Sequence, residues 1–272
     1  MMTRTSRRAP RRLLAGIGAA AVLLAAGACS SGGSDGTGGS GGGASGRPTG
    51  TVTVFAAASL QESFTTLGKT FEKRYPGTKV AFNFGGSDSL AAGITGGAPA
   101  DVFASASPRT MKTVTDAGDA AGTPATFVRN RLEIAALQGN PDHISSLKDL
   151  TRSGLKVVLC AETVPCGAAT RTALEASGLK LTPVSYEQDV KSALTKVELK
   201  EADAAVVYRT DVKAAGGKVE GVEFPESAEA VNDYPIVRLK NAGNASGAKA
   251  FLALVNSAEG RKVLGAAGFL RP

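Results

Sequence analysis

Three short turns of small residues are the parts of this sequence best suited to bind a ligand. They are residues 56–59 (Ala-Ala-Ala-Ser), 85–87 (Gly-Gly-Ser) and 164–167 (Val-Pro-Cys-Gly). Each is predicted to join a strand to a helix, where the first N–H groups of the helix lack partners and carry about +0.5 of partial charge. Several such helix starts facing one cleft would bind an anion without Lys or Arg. Taken singly, Ser59 and Ser87 are also explained as helix caps.

The elements that hold these turns alternate between strand and helix from Thr51 onward. Apolar stretches predict strands at residues 51–56, 79–84, 101–105, 132–137 and 156–159. Strands that alternate with helices indicate an α/β fold, with mainly parallel sheets flanked by helices. The length of this part fits two lobes better than one. Ligands bind at the carboxyl edge of such sheets, which is where the three turns are predicted to lie.

Helix starts and apolar faces are also visible in the sequence. Ser59 opens a capping-box sequence, Ser-Leu-Gln-Glu, which predicts that a helix begins there. Apolar residues then recur at helical spacing, at Leu60, Phe64, Leu67 and Phe71. Further predictions are a capped start at Ser107-Pro108, a helix from about residue 167 that ends near Gly178, and a start capped by Asp189.

Catalytic motifs are poorly supported. The hydrolase pattern Gly-x-Ser-x-Gly occurs at residues 32–36 and 38–42, but both copies lie in a Gly/Ser-rich segment without a strand or helix beside them. His143 is the only histidine, so sites that need two histidine ligands are excluded. No phosphate-binding Gly-x-x-x-x-Gly-Lys motif is present. We therefore expect a binding protein without enzymatic activity or cofactor; an exported hydrolase is a remote alternative.

The N-terminus carries an export signal. Arginines precede an apolar run at residues 13–28, which is followed by Cys29. The sequence Ala-Gly-Ala-Cys resembles the lipobox of bacterial lipoproteins, so residues 1–28 are predicted as a lipoprotein signal peptide and Cys29 as the lipidated residue. An ordinary cleaved signal is the alternative. Residues 29–50 are then a Gly/Ser-rich linker that tethers an exported domain to the outer face of the cytoplasmic membrane.

The net charge of +7 is mostly a property of this signal. Five arginines lie within residues 4–12, and without them 26 basic residues face 24 acidic ones, a net charge of +2. The chain has no Trp and few other aromatic residues, which leaves little for stacking on bases. A nucleic-acid partner is therefore not expected.

Two cysteines remain once Cys29 is assigned to lipid. Cys160 and Cys166 are six positions apart, and an exported domain lies in an oxidising compartment, so we predict that they form a disulfide. A metal site is the alternative, but the further soft ligands that it needs are missing.

Several motifs resemble, in their order, those of the bacterial molybdate-binding proteins, which are the extracytoplasmic receptors of molybdate ABC importers. The resemblance covers about residues 51–272. The matching motifs are Val-Phe-Ala-Ala-Ala-Ser-Leu (54–60), Phe-Gly-Gly-Ser (84–87), Gly-Ala-Pro-Ala-Asp-Val-Phe-Ala-Ser (97–105), Glu-Gln-Asp-Val (187–190) and Val-Tyr (207–208). It implies the two-lobed type II periplasmic-binding-protein fold, with lobe I at residues 51–128 and 234–272, lobe II at residues 129–233, and hinges near 128–131 and 231–234.

The resemblance also implies a ligand set. Ser59 and Ser87 would donate through hydroxyl and backbone N–H, Cys166 and Val190 through backbone N–H, and Tyr208 through its phenol. The bound ligand would be the molybdate or tungstate oxyanion itself, with no side chain bound to the metal. The expected protein is a monomer that closes on its ligand and docks on a membrane permease.

One residue beside the predicted site departs from the family pattern, and other anions are alternative ligands. Asp88, next to Ser87, departs from the family pattern, and we expect it to cap the helix or to face solvent because a carboxylate in the cleft would repel a dianion. The alternative ligands for the same fold are sulfate, phosphate or a small organic anion.

Overall fold

The computed structural model describes residues 47–272, which contain ten strands and eight α-helices. The strands are β1 (Gly50–Ala57), β2 (Thr78–Gly85), β3 (Val102–Ala104), β4 (Ala125–Asn130), β5 (Leu132–Leu137), β6 (Val157–Cys160), β7 (Ser185–Glu187), β8 (Ala204–Tyr208), β9 (Val219–Val222) and β10 (Asn232–Arg238). The helices are α1 (Gln61–Arg74), α2 (Ser87–Thr95), α3 (Pro108–Asp116), α4 (Pro165–Ser177), α5 (Val190–Glu198), α6 (Arg209–Ala214), α7 (Ala245–Val255) and α8 (Ala258–Ala267). The predicted signal peptide, Cys29 and the linker up to residue 46 lie outside the described residues.

The strands form two five-stranded sheets, as the alternating pattern predicts. The first sheet has the order β2-β1-β3-β10-β4, and the second has the order β7-β6-β8-β5-β9. In the first sheet only β10 runs against the other four strands, and in the second sheet only β5 does. We call the first sheet with α1–α3, α7 and α8 the first lobe, and the second sheet with α4–α6 the second lobe.

The chain passes between the two sheets twice, and the two passages lie side by side. It leaves β4 through Arg131 into β5, and it returns through Val231 into β10. Asn130 and Asn232 are paired across the ladder that joins β4 to β10. The first passage therefore begins, and the second ends, at this one residue pair. Both connecting residues lie within the segments predicted as hinges. That these segments bend when the lobes close remains a prediction.

Most helix starts and faces agree with the sequence predictions. The apolar stripe of α1 is buried against the first sheet, with Phe64, Leu67 and Phe71 fully enclosed. Ser107 caps α3 by accepting the N–H of Thr110 at 3.3 Å, with a proline at the first helical position. Asp189 caps α5, and Gly178 ends α4 in the left-handed conformation, at a φ of 67°.

The predicted capping box at Ser59 is wrong. Ser59 lies inside a short 3₁₀ helix, Ala58–Leu60, and α1 follows at Gln61 without a side-chain cap among the described residues. The four residues do start a helix, but the 3₁₀ turn continues directly into α1 and turns the hydroxyl away from the α1 backbone. Ser87 does not cap either, because it is the first residue of α2 and Gly86 occupies the cap position. Both hydroxyls therefore remain available for another purpose.

Candidate functional site

A small cavity lies between the two lobes, at the ends of their strands. Ser59 and Ser87 line it from the first lobe, and Cys166, Val190 and Tyr208 line it from the second lobe. The structure therefore brings all five sequence-predicted site residues together. Each of the five is at most 4% exposed. The cavity is small: its open volume of about 10 Å³ is room for about one water molecule, so a larger solute requires the lobes to move apart.

A much larger cavity lies elsewhere in the described residues. It has a volume of about 700 Å³ and lies beside α8 and the C-terminal residues, with Phe127, Leu264 and Phe269 among its walls. None of the three strand-to-helix turns lines it. We assign the small cavity as the candidate site because the free hydrogen-bond donors converge there, whereas size alone would point to the wrong face.

Three helix starts border the small cavity. Helix α2 begins at Ser87, α4 at Pro165 and α5 at Val190, and all three residues line the cavity. The N–H groups of Ser87, Cys166 and Val190 belong to first turns, so they have no acceptor within their own helix. The partial positive charge of each helix start adds to the same small space. This arrangement attracts an anion with backbone groups alone.

The hydroxyl of Ser87 is held so that its hydrogen is free. Its Oγ accepts the backbone N–H of Ala106 at 3.0 Å. A hydroxyl has one hydrogen to donate, and this contact occupies only a lone pair. The O–H of Ser87 can therefore donate to a solute in the cavity.

The hydroxyl of Ser59 belongs to a buried chain of hydrogen-bonded side chains that no sequence motif predicts. Its Oγ lies 2.8 Å from the hydroxyl of Tyr234, which accepts from the side-chain amide of Asn130 at 3.3 Å. Asn130 also donates to Thr210 Oγ1 at 2.9 Å. With Tyr234 accepting from Asn130, its own O–H is free to donate to Ser59. The hydrogen of Ser59 is then left for the cavity, as at Ser87.

Tyr208 presents a third hydroxyl. Its phenol oxygen is buried and has no hydrogen-bond partner among residues 47–272. Burial raises the pKa of Tyr208 well above its ordinary value, so the phenol keeps its proton at neutral pH. A buried O–H without an acceptor costs free energy. An oxyanion in the cavity would supply the acceptor.

The loop before α4 is closed by the predicted disulfide. Cys160 and Cys166 are bonded, with their Cα atoms 5.8 Å apart. The sulfur of Cys166 is therefore engaged with Cys160, and only the backbone N–H of this residue can serve the cavity. The loop is also tightly packed, because a Cβ on Gly167 would lie 2.0 Å from the carbonyl oxygen of Ala161. Together the bond and the packing fix the position of the Cys166 N–H.

Asp88 differs from the expectation that it would cap α2 or face solvent. No capping hydrogen bond from it is found within the described part of the chain, and its Oδ1 is buried without a partner there. It lies in the first turn of α2, where the partial charge of the helix start favours a carboxylate. Asp88 does not contribute to the walls of the small cavity. It therefore does not confront an anion bound there.

Charged side chains take almost no part in the cavity. Asp189 is the only charged residue in its walls, as far as the structure describes the chain. Its Oδ1 accepts the N–H groups of Lys191 and Ser192 at 2.8 and 2.9 Å, and its Oδ2 accepts the hydroxyl of Ser192 at 3.1 Å. This carboxylate thus serves as the cap of α5. What remains for a solute is a set of neutral donors.

Metal-binding clusters and membrane-spanning helices are both absent from the described residues. Within residues 47–272, no group of three or more His, Cys, Asp or Glu side chains is arranged to hold a metal ion. The helices of the same residues all lack the length and apolarity needed to cross a bilayer.

Comparison with known proteins places this fold and cavity in a family. Residues 52–270 match the model of the bacterial extracellular solute-binding proteins. The chain belongs to that family. The molybdate-binding protein ModA of Mycobacterium tuberculosis (strain H37Rv) is 47% identical over 221 residues, which cover 81% of this chain and 85% of the relative. The solute-binding chain thus has a relative named for molybdate across nearly the whole described region.

Solved structures show the same two-lobed α/β fold. The periplasmic molybdate-binding protein of Azotobacter vinelandii aligns with a TM-score of 0.72 at 21% identity, over 81% of this chain and 99% of that one. The sulfate-binding protein SubI of M. tuberculosis aligns with a TM-score of 0.71 at 17% identity, over 80% of this chain and 86% of that one. At these identities the likeness shows the fold and does not choose between the two anions.

Proposed function

We propose that this solute-binding protein captures molybdate, and tungstate with it, in the cavity between its lobes and delivers the anion to an ABC importer. The observation that carries the proposal is the donor set of the cavity: three hydroxyls and three helix starts, beside a single carboxylate that caps α5. Molybdate at neutral pH is a tetrahedral dianion without protons, so its oxygens only accept hydrogen bonds. The 47% identity to a protein named for molybdate binding supports the same ligand.

The donor set disfavours phosphate. At neutral pH phosphate carries at least one proton, and that proton needs an acceptor when the anion is buried. The one carboxylate in the cavity wall, Asp189, is already bonded to three donors. A buried phosphate O–H would therefore have to compete with these donors for Asp189, or would use a cavity hydroxyl as its acceptor.

The size of the cavity disfavours extended organic anions. Its open volume of about 10 Å³ is that of about one water molecule, so each added group of an extended anion would force the lobes further apart. Sulfate is the remaining alternative, because it is also an unprotonated tetrahedral dianion and SubI shares the fold. Sulfate and molybdate differ in size, so the fine dimensions of a cavity distinguish them. For this reason sulfate belongs in every binding test.

We propose that the protein acts as a monomer and without covalent chemistry. All five candidate donors come from one chain, and both sides of the cavity are built by its two lobes. Binding needs only that the lobes close on the anion and reopen at the permease.

Metal content tests the proposed ligand. The protein, purified from cells grown with added molybdate, is expected to contain one molybdenum atom per chain after dialysis, as measured by inductively coupled plasma mass spectrometry. The double variant Ser59→Ala/Tyr208→Phe is the matched control and is expected to lose most of the metal. Equal and trace molybdenum in both proteins would contradict the proposal.

We further propose that the chain is exported and anchored to the outer face of the cytoplasmic membrane through lipid on Cys29. Support comes from the sequence pattern of residues 1–29 and from membership of an extracellular family. Cys29→Ser is expected to move the protein from the membrane fraction to the soluble exported fraction, measured by immunoblotting. If both forms were soluble, the ordinary cleaved signal would be correct.

A further inference from the structure

Lys191 occupies a position that is unfavourable for a lysine. It is the second residue of α5, where the partial positive charge of the helix start opposes a cation. Its side chain is also mostly buried, with 18% of its surface exposed. A buried ammonium is tolerated only when it is paired and hydrogen-bonded. The partners of Lys191 should therefore explain why it is there.

Two carboxylates surround the ammonium group, one from each lobe. Lys191 Nζ lies 3.1 Å from Oδ1 of Asp211, on α6 of the same lobe. It also lies 2.9 Å from Oε1 of Glu62, on α1 of the opposite lobe. Burial acts to lower the pKa of Lys191, but the two carboxylates outweigh it and raise that pKa. The ion pair with Glu62 thus connects the lobes directly.

Each member of this group is next to a candidate ligand donor. Glu62 lies three residues after Ser59, and Lys191 directly follows Val190. Asp211 is completely buried, and its Oδ2 accepts the backbone N–H of Tyr208 at 3.2 Å. Burial raises the pKa of Asp211 to about 6, so at neutral pH it is held charged beside Lys191. When a lobe moves, its charged side chains therefore move together with the donors of the same lobe.

We propose that Glu62, Lys191 and Asp211 form an interlobe clasp that completes itself on closure and slows release of the anion. The pair of Lys191 with Asp211 stays within the second lobe, and Glu62 joins it only when the cleft is shut. An interaction made only in the closed form stabilises that form and the bound anion with it. The three residues are positioning residues. They do not contact the anion, but they control how long the donors remain around it. The inference rests on the proposed function, because closure is coupled to anion binding.

Glu62→Gln tests the clasp most cleanly. The side chain of Glu62 is half exposed, so the change keeps its shape, leaves Lys191 paired with Asp211 and should not impair folding. We expect molybdate to dissociate about three to ten times faster in stopped-flow measurements, with little change in the association rate. The melting temperature without ligand should not change.

A matched control separates the clasp from general charge effects. Glu259→Gln also removes a carboxylate from an ion pair, but its partner Arg74 lies in the same lobe. This variant is expected to release molybdate at the wild-type rate.

The outcomes separate the clasp from the proposed function. Equal dissociation rates for wild type and Glu62→Gln would overturn the clasp and leave the molybdate proposal intact. If wild type bound none of molybdate, tungstate, sulfate or phosphate, the proposed function would be wrong, and the clasp would be read from spin-label distances between the lobes. Glu62→Gln must then show less of the short interlobe distance than wild type; identical distributions would refute the clasp.

Discussion

The two candidate serines are oriented by what they accept. Ser87 Oγ accepts from the backbone of Ala106, and Ser59 Oγ is placed to accept from Tyr234, whose oxygen is in turn bonded by Asn130. In each case the neighbouring donor occupies a lone pair of the serine oxygen, so the serine O–H can donate into the cavity. The same residue type on an ordinary helix cap would use its oxygen on its own backbone. The site thus depends on neighbours that hold each donor in the required direction.

Loss of single donors is expected to weaken binding without unfolding the protein. Ser59→Ala and Tyr208→Phe should each reduce molybdate affinity by about 1–3 kcal/mol, the cost of a missing hydrogen bond to a charged group. Thr66→Ala is a suitable control, because its hydroxyl is exposed and only bonds the carbonyl of Glu62 within α1. The measurement is calorimetric titration. Unchanged affinity in both site variants would show that the transferred site is wrong.

The residues that line the cavity could be predicted from the sequence, but the buried residues that orient them could not. Ser59, Ser87 and Tyr208 lie in short motifs whose order resembles a known family. Tyr234 contacts Ser59 from 175 positions along the chain, and Asn130 contacts Tyr234 from 104 positions away. No local pattern indicates a pairing over such distances. Lys191 looks like an exposed helix residue in the sequence, and only packing shows that it is buried.

At the scale of elements, the turn between β2 and α2 controls how closely the lobes approach. Gly86 lies in this turn, and a Cβ there would come within 2.5 Å of the carbonyl oxygen of Gln188 and 2.9 Å of a Val164 methyl group, both in the second lobe. A backbone oxygen cannot withdraw as a flexible side chain can. The absence of a side chain at residue 86 is therefore required for the contact seen between the lobes.

Gly86→Ala is expected to hinder closure. The added methyl group should weaken molybdate binding about 5- to 150-fold, because overpacking at a tight contact costs about 1–3 kcal/mol. Gly93→Ala in α2 is the matched control, since its Cβ would meet only ordinary contacts at 3.9 Å. Affinity and melting temperature should be measured for both. Wild-type affinity in Gly86→Ala would mean that this contact does not limit closure.

Element boundaries followed from the sequence where the signal was local. The starts of α3 and α5 and the end of α4 were marked by Ser107-Pro108, Asp189 and Gly178, and each prediction is confirmed. The capping box at Ser59 failed because a 3₁₀ turn can precede an α-helix with the same four residues. The sequence could not distinguish the two, since the choice depends on the long-range contact of Ser59 with Tyr234.

At the scale of the whole molecule, anion binding is separated from net charge. Most of the excess positive charge lies in the arginines of residues 4–12, while the cavity walls hold no Lys or Arg within the described residues. The lobes are joined by Glu62–Lys191 and by the Arg109 guanidinium, which donates to the carbonyl of Thr163. Neutral donors therefore surround the anion, and charged groups sit at the rim where the lobes meet.

The most direct test of an uncharged, donor-only site is titration of the protein with four anions at neutral pH. Molybdate and tungstate are expected to bind at one site per chain, with sulfate much weaker and phosphate weakest because its proton must compete for an acceptor. The heat of molybdate binding should not depend on the buffer, since no proton is taken up or released. Sulfate binding as tight as that of molybdate, or no binding of either molybdate or tungstate, would contradict the proposed function.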